Sequence, residues 1–362
     1  MLQDNSISRI MVIGVGGGGG NAINDMQESG LAGVEFVAAN TDVQDLNKSL
    51  ADVRFQLGEK LTKGRGAGAD PMVGREAAEE DRERIQKLLE GVDMIFITAG
   101  MGGGTGTGAS PIIAEVAKEM NILTVAVVTK PFSFEGKKRA ANAALGIQNL
   151  QKAVDSIIVI PNDKLFELPD KKVTIKNAFH EANNILKIGV KGISDLIMRI
   201  GLISLDFADI TTIIKDSGLA VLGFGEGEGE NRAIKATEKA LQSPLLEKSI
   251  LGAGKILLNI AGNENIELAE AQSIADMITS ASGKEPEEVL FGITIDEDLG
   301  DKIQVILIAN NFAVETLGNI SEGEPTILPK GDDTPKSKVE STDSGDTSNT
   351  TPPWTWLNDL KK

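Results

Sequence analysis

The stretch GMGGGTGTGASP, residues 100–111, places six glycines and two threonines in its first nine positions. No packed core element tolerates so little side chain, so the stretch reads as bare backbone kept free for something else. It follows the apolar run VDMIFIT (92–98), and a second cluster, GVGGGGGNA (14–22), follows RIMVIGV (9–15) in the same way. Two glycine loops at the carboxyl ends of parallel strands, each leading into a helix, aim backbone N–H groups and helix N-termini at one cleft. Such a cleft binds polyphosphate without a lysine. Thr105 and Thr107 add hydroxyl donors, and a third loop, TKGRGAGADP (62–71), reads as a flexible segment that closes over a terminal phosphate.

Outward from these loops, near-continuous apolar runs recur at 34–40, 122–128 and 155–160, separated by helical patterns. That alternation predicts a parallel sheet covered on both faces. From Thr174 to Ile200 a single helical pattern runs longer than any other, and it reads as a connecting helix. LAVLGFG, KILLNIAG, EVLFGITI and KIQVILIANN follow, with helices at 231–242 and 268–282, and form a second, smaller α/β unit. The segment REAAEEDRERIQKLLE (75–90) reads as a solvated helix supported by a Glu80 to Arg84 pair. Residues 330–353 hold one aliphatic side chain, Val339, and are expected to be disordered. Beyond them PPWTWLNDLKK carries both tryptophans of the chain. In a short helix Trp354 with Leu357, and Trp356 with Leu360, share a face that suits a protein partner.

Composition excludes several chemistries. The chain has no cysteine and one histidine, so thiol nucleophiles and thiolate or histidine zinc sites are out, and a metal should be a hard cation held by oxygen. His180 is assigned no role. A net charge of −17 argues against tracking a nucleic-acid backbone. No apolar run approaches bilayer length, and the start MLQDNSISRI has no signal-like pattern, so a cytoplasmic protein without membrane insertion is expected. Gly14, Gly16 and Gly19 satisfy the dinucleotide fingerprint, but the second strand ends in Asn40 where a ribose-binding acid belongs, and that fold needs no second glycine loop. Each Gly-Lys pair lacks the Ser or Thr of a phosphate-binding P-loop. An NAD-linked enzyme and a non-hydrolysing nucleotide scaffold remain as alternatives.

GGGTGTG is the signature of the tubulin-like GTPases. Together with GVGGGGGNA, KGRGAGADPMVGR, VVTKPFSFEGKKR, IPNDKL and LDFADI, it makes the chain from about Arg9 to Ala309 resemble the FtsZ family of bacterial cell division. The resemblance implies a tubulin-like two-domain α/β architecture: a flexible start (1–8), a GTP-binding domain (9–173), a connecting helix (174–200), a second α/β domain (201–329), a disordered linker (330–350) and a partner-binding peptide (351–362). It implies that Gly17, Gly18, Gly19 and Gly20, with Gly102, Gly103, Gly104, Thr105 and Gly106, cradle the phosphates, and that Ala67, Gly68 and Ala69 approach the γ-phosphate. Glu135 would bind the ribose hydroxyls and Arg139 add charge near the sugar and phosphates. Phe179 would stack on the purine, with Asn183 at its Watson–Crick edge and Asn21 and Asn162 nearby.

The preference for GTP over other purine nucleotides comes from the resemblance, because an asparagine can present either a donor or an acceptor to a base. Mg²⁺ would be bound mainly through the nucleotide phosphates. The glycine loops supply no base, and the resemblance places Asp206 and Asp209 of LDFADI in the nucleotide cleft of the next subunit. A head-to-tail homopolymer at the division site at midcell, weakened by GTP hydrolysis, follows from it, with tethering and regulatory division proteins binding through Trp354, Trp356, Leu357 and Leu360. Ser204 stands where that family generally has asparagine and Ile200 where many members have proline. The terminal peptide also departs from the family's usual pattern.

Overall fold

A computed structural model of the chain describes residues 8–167, 174–199, 201–246, 249–283 and 286–312. Residues 1–7 of the start, the linker 330–350, the terminal peptide with its two tryptophans, and Ile200 lie outside the described residues.

The first half alternates strand and helix. β1 (Ile10–Val15), β2 (Glu35–Asn40), β3 (Val53–Gln56), β4 (Met94–Gly100), β5 (Leu123–Lys130) and β6 (Ser156–Pro161) all pair in parallel, in the order β3-β2-β1-β4-β5-β6. The helices between them are α1 (Gly16–Glu28), α2 (Val43–Lys48), α3 (Glu59–Thr62), α4 (Pro71–Glu80), α5 (Arg82–Leu88), α6 (Thr105–Glu119) and α7 (Lys137–Ala153). Side chains alternate across a strand, so β1 sends Ile10 and Val12 into one core and Met11 and Ile13 into the other. The first core includes Phe36 and Phe96 and is completed by α1 and by α8 (Ile175–Met198). The second is completed by α4, α6 and α7. Each fully buried Phe or Ile contributes about 1.5–3 kcal/mol, which is why these strands are apolar almost throughout.

The second half comprises α9 (Phe207–Ile214), β7 (Gly218–Glu228), α10 (Arg232–Leu241), β8 (Lys255–Gly262), α11 (Leu268–Ala281), β9 (Glu288–Ile295) and β10 (Lys302–Asn310). β10 runs antiparallel to β7 and β8, and β9 is parallel to β8. β7 belongs to both halves. Gly218–Ala220 pair with β6, and Val221 to Glu228 pair with β10, so the ten strands form one continuous hydrogen-bonded order. Gly223, Gly225 and Gly227 share one face of β7, and α10 lies directly on them: a Cβ on any of the three would collide with a carbonyl oxygen of α10.

One expectation needs correction. The acidic stretch 75–90 is two helices, α4 and α5, broken at Asp81. Asp81 is buried, and its Oδ2 accepts from the Gly58 N–H at 2.7 Å while Oδ1 pairs with Arg84 at 2.7 Å. Arg84 therefore goes to Asp81. Glu80 instead accepts from the Lys60 and Leu61 N–H groups at 3.1 and 3.2 Å.

Candidate functional site

In an open parallel sheet a ligand settles where the strand order reverses, at the carboxyl ends of the strands. Here the reversal falls between β1 and β4, which are neighbours, and both glycine clusters lie there. α1 begins at Gly16 directly after β1, and α6 begins at Thr105 shortly after β4, so two helix N-termini face one cavity of about 560 Å³. Unpaired N–H groups and the positive end of each helix dipole favour an anion there.

Of the residues expected in the site, Gly17, Gly18, Asn21, Ala67, Gly68, Ala69, Gly103, Gly104, Thr105, Gly106, Glu135, Arg139, Asn162, Phe179 and Asn183 line this cavity. Gly20 lines an adjoining recess with Asn21 and Asn24. Gly19 and Gly102 do not line the main cavity. Gly19 sits under β4, where a Cβ would overlap the Thr98 carbonyl oxygen, and the Gly102 N–H donates to Thr107 Oγ1 at 2.9 Å. Packing thus accounts for more of the glycines than the motif alone suggests. Gly108 lets α6 lie against α4, since a Cβ there would overlap the Pro71 carbonyl oxygen, whereas at Gly103 nothing stands within 4 Å of where a Cβ would be. Thr107 is buried, with its oxygen accepting from Gly102, and Thr105 Oγ1 lies 2.7 Å from Thr41 Oγ1.

The loop 62–71 is tied down on the pocket side. Val43 N–H donates to Gly64 O and Gly66 N–H to Thr41 O, both at 3.1 Å, and Asp42 and Arg65 form an isolated bridge. Asp70 caps α4 by accepting from Met72 N–H at 2.9 Å.

α8 contributes Phe179 and Asn183, one turn apart, to the pocket wall. Phe179 is 42% exposed and meets buried Phe132 edge-on, with ring centroids 5.3 Å apart. Phe132 also stacks on Phe134 and touches Phe166, so an aromatic cluster backs this wall. Asn162 is 4% exposed, and its Oδ1 is buried with no hydrogen-bond partner, an acceptor left for a ligand. Glu135 Oε1 accepts from Phe132 N–H at 2.9 Å, and Oε2 pairs with Arg139.

Three charged residues of the pocket were not anticipated. Asp42, Asp45 and Arg65 line it, so the expectation that no base stands near the glycine loops is corrected: two carboxylates share their pocket. The signal was present in NTDVQDLNK (40–48), where Asp42 caps α2 by accepting from Gln44 N–H at 2.8 Å. Asp45 lies beside the first glycine loop, with its Oδ2 about where a Gly17 side chain would point, 3.5 Å from that Cβ position. Among the described residues, no group of three His, Cys, Asp or Glu side chains is placed to hold a metal.

Residues 9–170 match the Tubulin/FtsZ family, GTPase domain, and residues 218–313 match the FtsZ family, C-terminal domain. An FtsZ dimer structure from M. jannaschii is 42% identical, covers 85% of this chain and 89% of its own, and superposes with a TM-score of 0.80. The chain belongs to the FtsZ family. It is a GTP-binding, filament-forming division GTPase with the FtsZ two-domain fold. More distant structures share the fold. GDP-bound monomeric CetZ1 from Haloferax volcanii, at 24% identity, covers 83% of this chain and 93% of its own with a TM-score of 0.71. CetZ2 from the same organism, a GTPγS-bound protofilament at 20% identity, covers 85% and 95% with a TM-score of 0.70.

The FtsZ pocket does not include Asp206 or Asp209 of its own chain. Both stand at the start of α9 and cap it reciprocally. Asp206 Oδ1 accepts from Asp209 N–H at 2.8 Å, and Asp209 Oδ2 accepts from Asp206 N–H at 3.3 Å. Both residues are exposed, and the loop before them carries Leu202 and Ile203 at 62% and 38% exposure. Among the described residues, no helix is long and apolar enough to cross a membrane.

Proposed function

We propose that GTP is hydrolysed between two subunits, the pocket coming from one and Asp206 and Asp209 from the next. What carries this reading is the exposed acidic loop. Its two carboxylates each spend one oxygen on a helix cap and keep the other, and exposed leucine and isoleucine side chains precede them, as suits a contact surface. The contact is heterologous and does not close, so it propagates as a filament. Within the pocket, Gly17, Gly18, Gly103, Gly104, Thr105 and Gly106 surround the phosphates, Ala67 to Ala69 border the γ-phosphate, Glu135 and Arg139 serve the sugar, and Asn21, Asn162 and Asn183 read the base against Phe179. Gly20 borders this set, while Gly19 and Gly102 shape it through packing.

Hydrolysis needs an oriented water and charge stabilisation at the γ-phosphate. Asp209 or Asp206 orients the water, and the α1 and α6 N-termini stabilise the phosphate charge. Mg²⁺ would be held mainly by phosphate oxygens, with Asp42 and Asp45 among the carboxylates lining the pocket, and would supply positive charge to offset the charge developing on the phosphates.

Residues 9–173 act as the nucleotide domain, 174–200 as the connecting helix and 201–329 as the second domain. The polar linker 330–350 lets the peptide 351–362 bind membrane-tethering and regulatory division proteins through Trp354, Trp356, Leu357 and Leu360, at midcell in the cytoplasm. GTP turnover measured across protein concentration, beside light scattering, tests the shared site. Turnover per molecule should rise with concentration and with scattering, and a constant value at all concentrations contradicts it.

A further inference from the structure

The described residues of the loop between α8 and α9 are fastened to their own subunit at several points. At its start, Arg199 Nε lies 3.1 Å from Asp195 Oδ1, and Arg199 Nη1 lies 3.6 Å from Asp296 Oδ2, just past β9. Lys191 Nζ joins the same two carboxylates at 2.7 and 3.2 Å. Midway, Ile203 O accepts from Ile293 N–H at 3.0 Å in an isolated antiparallel bridge to β9. Gly201 is pressed so close to the same strand that a Cβ would overlap the Ile293 carbonyl oxygen. At the end, Asp206 and Asp209 form their reciprocal cap. Between the ion cluster and the cap one side chain closes the turn: Ser204 Oγ accepts from the Gly201 N–H at 3.1 Å.

We propose that Ser204 is a positioning residue for hydrolysis, whose hydroxyl holds the Gly201 N–H and so fixes where Asp206 and Asp209 stand relative to β9. It acts inside its own subunit. The hydroxyl is engaged three residues back along the chain, at the point where the backbone is pressed on β9, and it needs no partner across the filament contact. The inference rests on the reading that this loop serves the neighbouring subunit's GTP. Misplacing a reacting group by about 1 Å costs on the order of 100-fold in rate. A turn freed of one hydrogen bond samples such positions part of the time, so the expected loss is roughly 3–10-fold.

The test uses the full chain with Ser204→Ala and Ser204→Thr, the second keeping a hydroxyl on Cβ. Two quantities are read: amide exchange of residues 200–206 in the unassembled GDP form, and assembly-linked kcat beside GTP affinity and the concentration at which scattering appears. Ser204→Ala should speed exchange in that segment and lower kcat roughly 3–10-fold, with GTP affinity and the assembly threshold unchanged; Ser204→Thr should match the parent in both. An unchanged kcat in Ser204→Ala, or an equal fall in both variants, overturns the proposal. So does unchanged exchange in Ser204→Ala, since the turn is then held by other contacts. Asp209→Ala run alongside separates the two readings: if it turns over at the parent rate, the loop is not hydrolytic and the shared site fails, whatever Ser204 does.

Discussion

Asp206 and Asp209 each have two jobs, and they divide them unequally. The cap of α9 rests mainly on Asp206 Oδ1, at 2.8 Å, while the return bond from Asp206 N–H to Asp209 is longer at 3.3 Å. Removing the Asp209 carboxylate therefore spares most of the cap. Asp209→Ala should keep its fold and its GTP affinity yet lose assembly-linked turnover by roughly 100-fold, the scale of a lost general base or water-orienting group; a nucleotide titration beside a phosphate-release assay measures both. Glycines divide in a similar way. Gly108 lies where α6 touches α4, and a Cβ there would overlap the Pro71 carbonyl oxygen and crowd the Arg75 N and the Gly74 carbonyl carbon, all of them backbone. Gly108→Ala should cost at least about 3 kcal/mol by overpacking, read as an earlier denaturant midpoint, because the atoms it meets are backbone and the two helices must move apart. The glycine motif announced a phosphate cleft, but it could not announce which of its glycines serve packing. That depends on α4, about thirty residues earlier in the chain and brought close only by the fold.

At the scale of elements, the second half is fastened by an ion group that no local pattern reveals. Arg232, 8% exposed at the start of α10, makes a two-pronged contact with Glu270 at 2.8 and 3.0 Å and also reaches Asp301 Oδ1 at 2.9 Å and the Asn265 carbonyl at 3.0 Å. The hydrogen bonds from Arg232 hold the Glu270 carboxyl below its ordinary range, outweighing the opposing effect of burial. A lowered carboxyl value adds stability that is present in full above the unfolded value, about 4.3, and is lost as pH falls through the folded one. Arg232→Met should destabilise by about 2–4 kcal/mol near neutral pH. The gap between variant and parent should narrow as pH drops below 4.3, which denaturant unfolding at a series of pH values measures.

Continuous apolar strands such as β1, β4 and β5 were legible in the sequence because both faces are buried, and α8 was legible within one or two residues at each end. β3 was not. It is a short edge strand in which Val53 and Arg54 are exposed and only Phe55 is buried, so neither alternation nor a run marks it. The break at Asp81 was hidden for a different reason: its cause is the Gly58 N–H, 23 positions away in the chain. β7 read as a strand of the second unit alone, because nothing local shows that its first three residues pair with β6.

For the whole molecule, the proposed shared site rests on two features that do not coincide. Two glycine-bearing helix N-termini and an aromatic wall make the pocket, and a braced acidic loop outside that pocket carries the carboxylates. Asp42 and Asp45 in the pocket give the shared site a rival within the subunit. Mixing two disabled proteins separates them. Asp209→Ala keeps its pocket but lacks the loop carboxylate, while Gly104→Ser crowds the pocket, where a side chain meets Ala67 and Asp70, but keeps its own loop. With GTP turnover measured on each alone and on an equal mixture, the account predicts two nearly inactive proteins and partial recovery in the mixture, as intact loops meet intact pockets. A mixture no faster than the sum of its parts, formed under conditions where scattering shows that the two proteins co-assemble, would contradict it and assign hydrolysis to the carboxylates of the pocket's own chain.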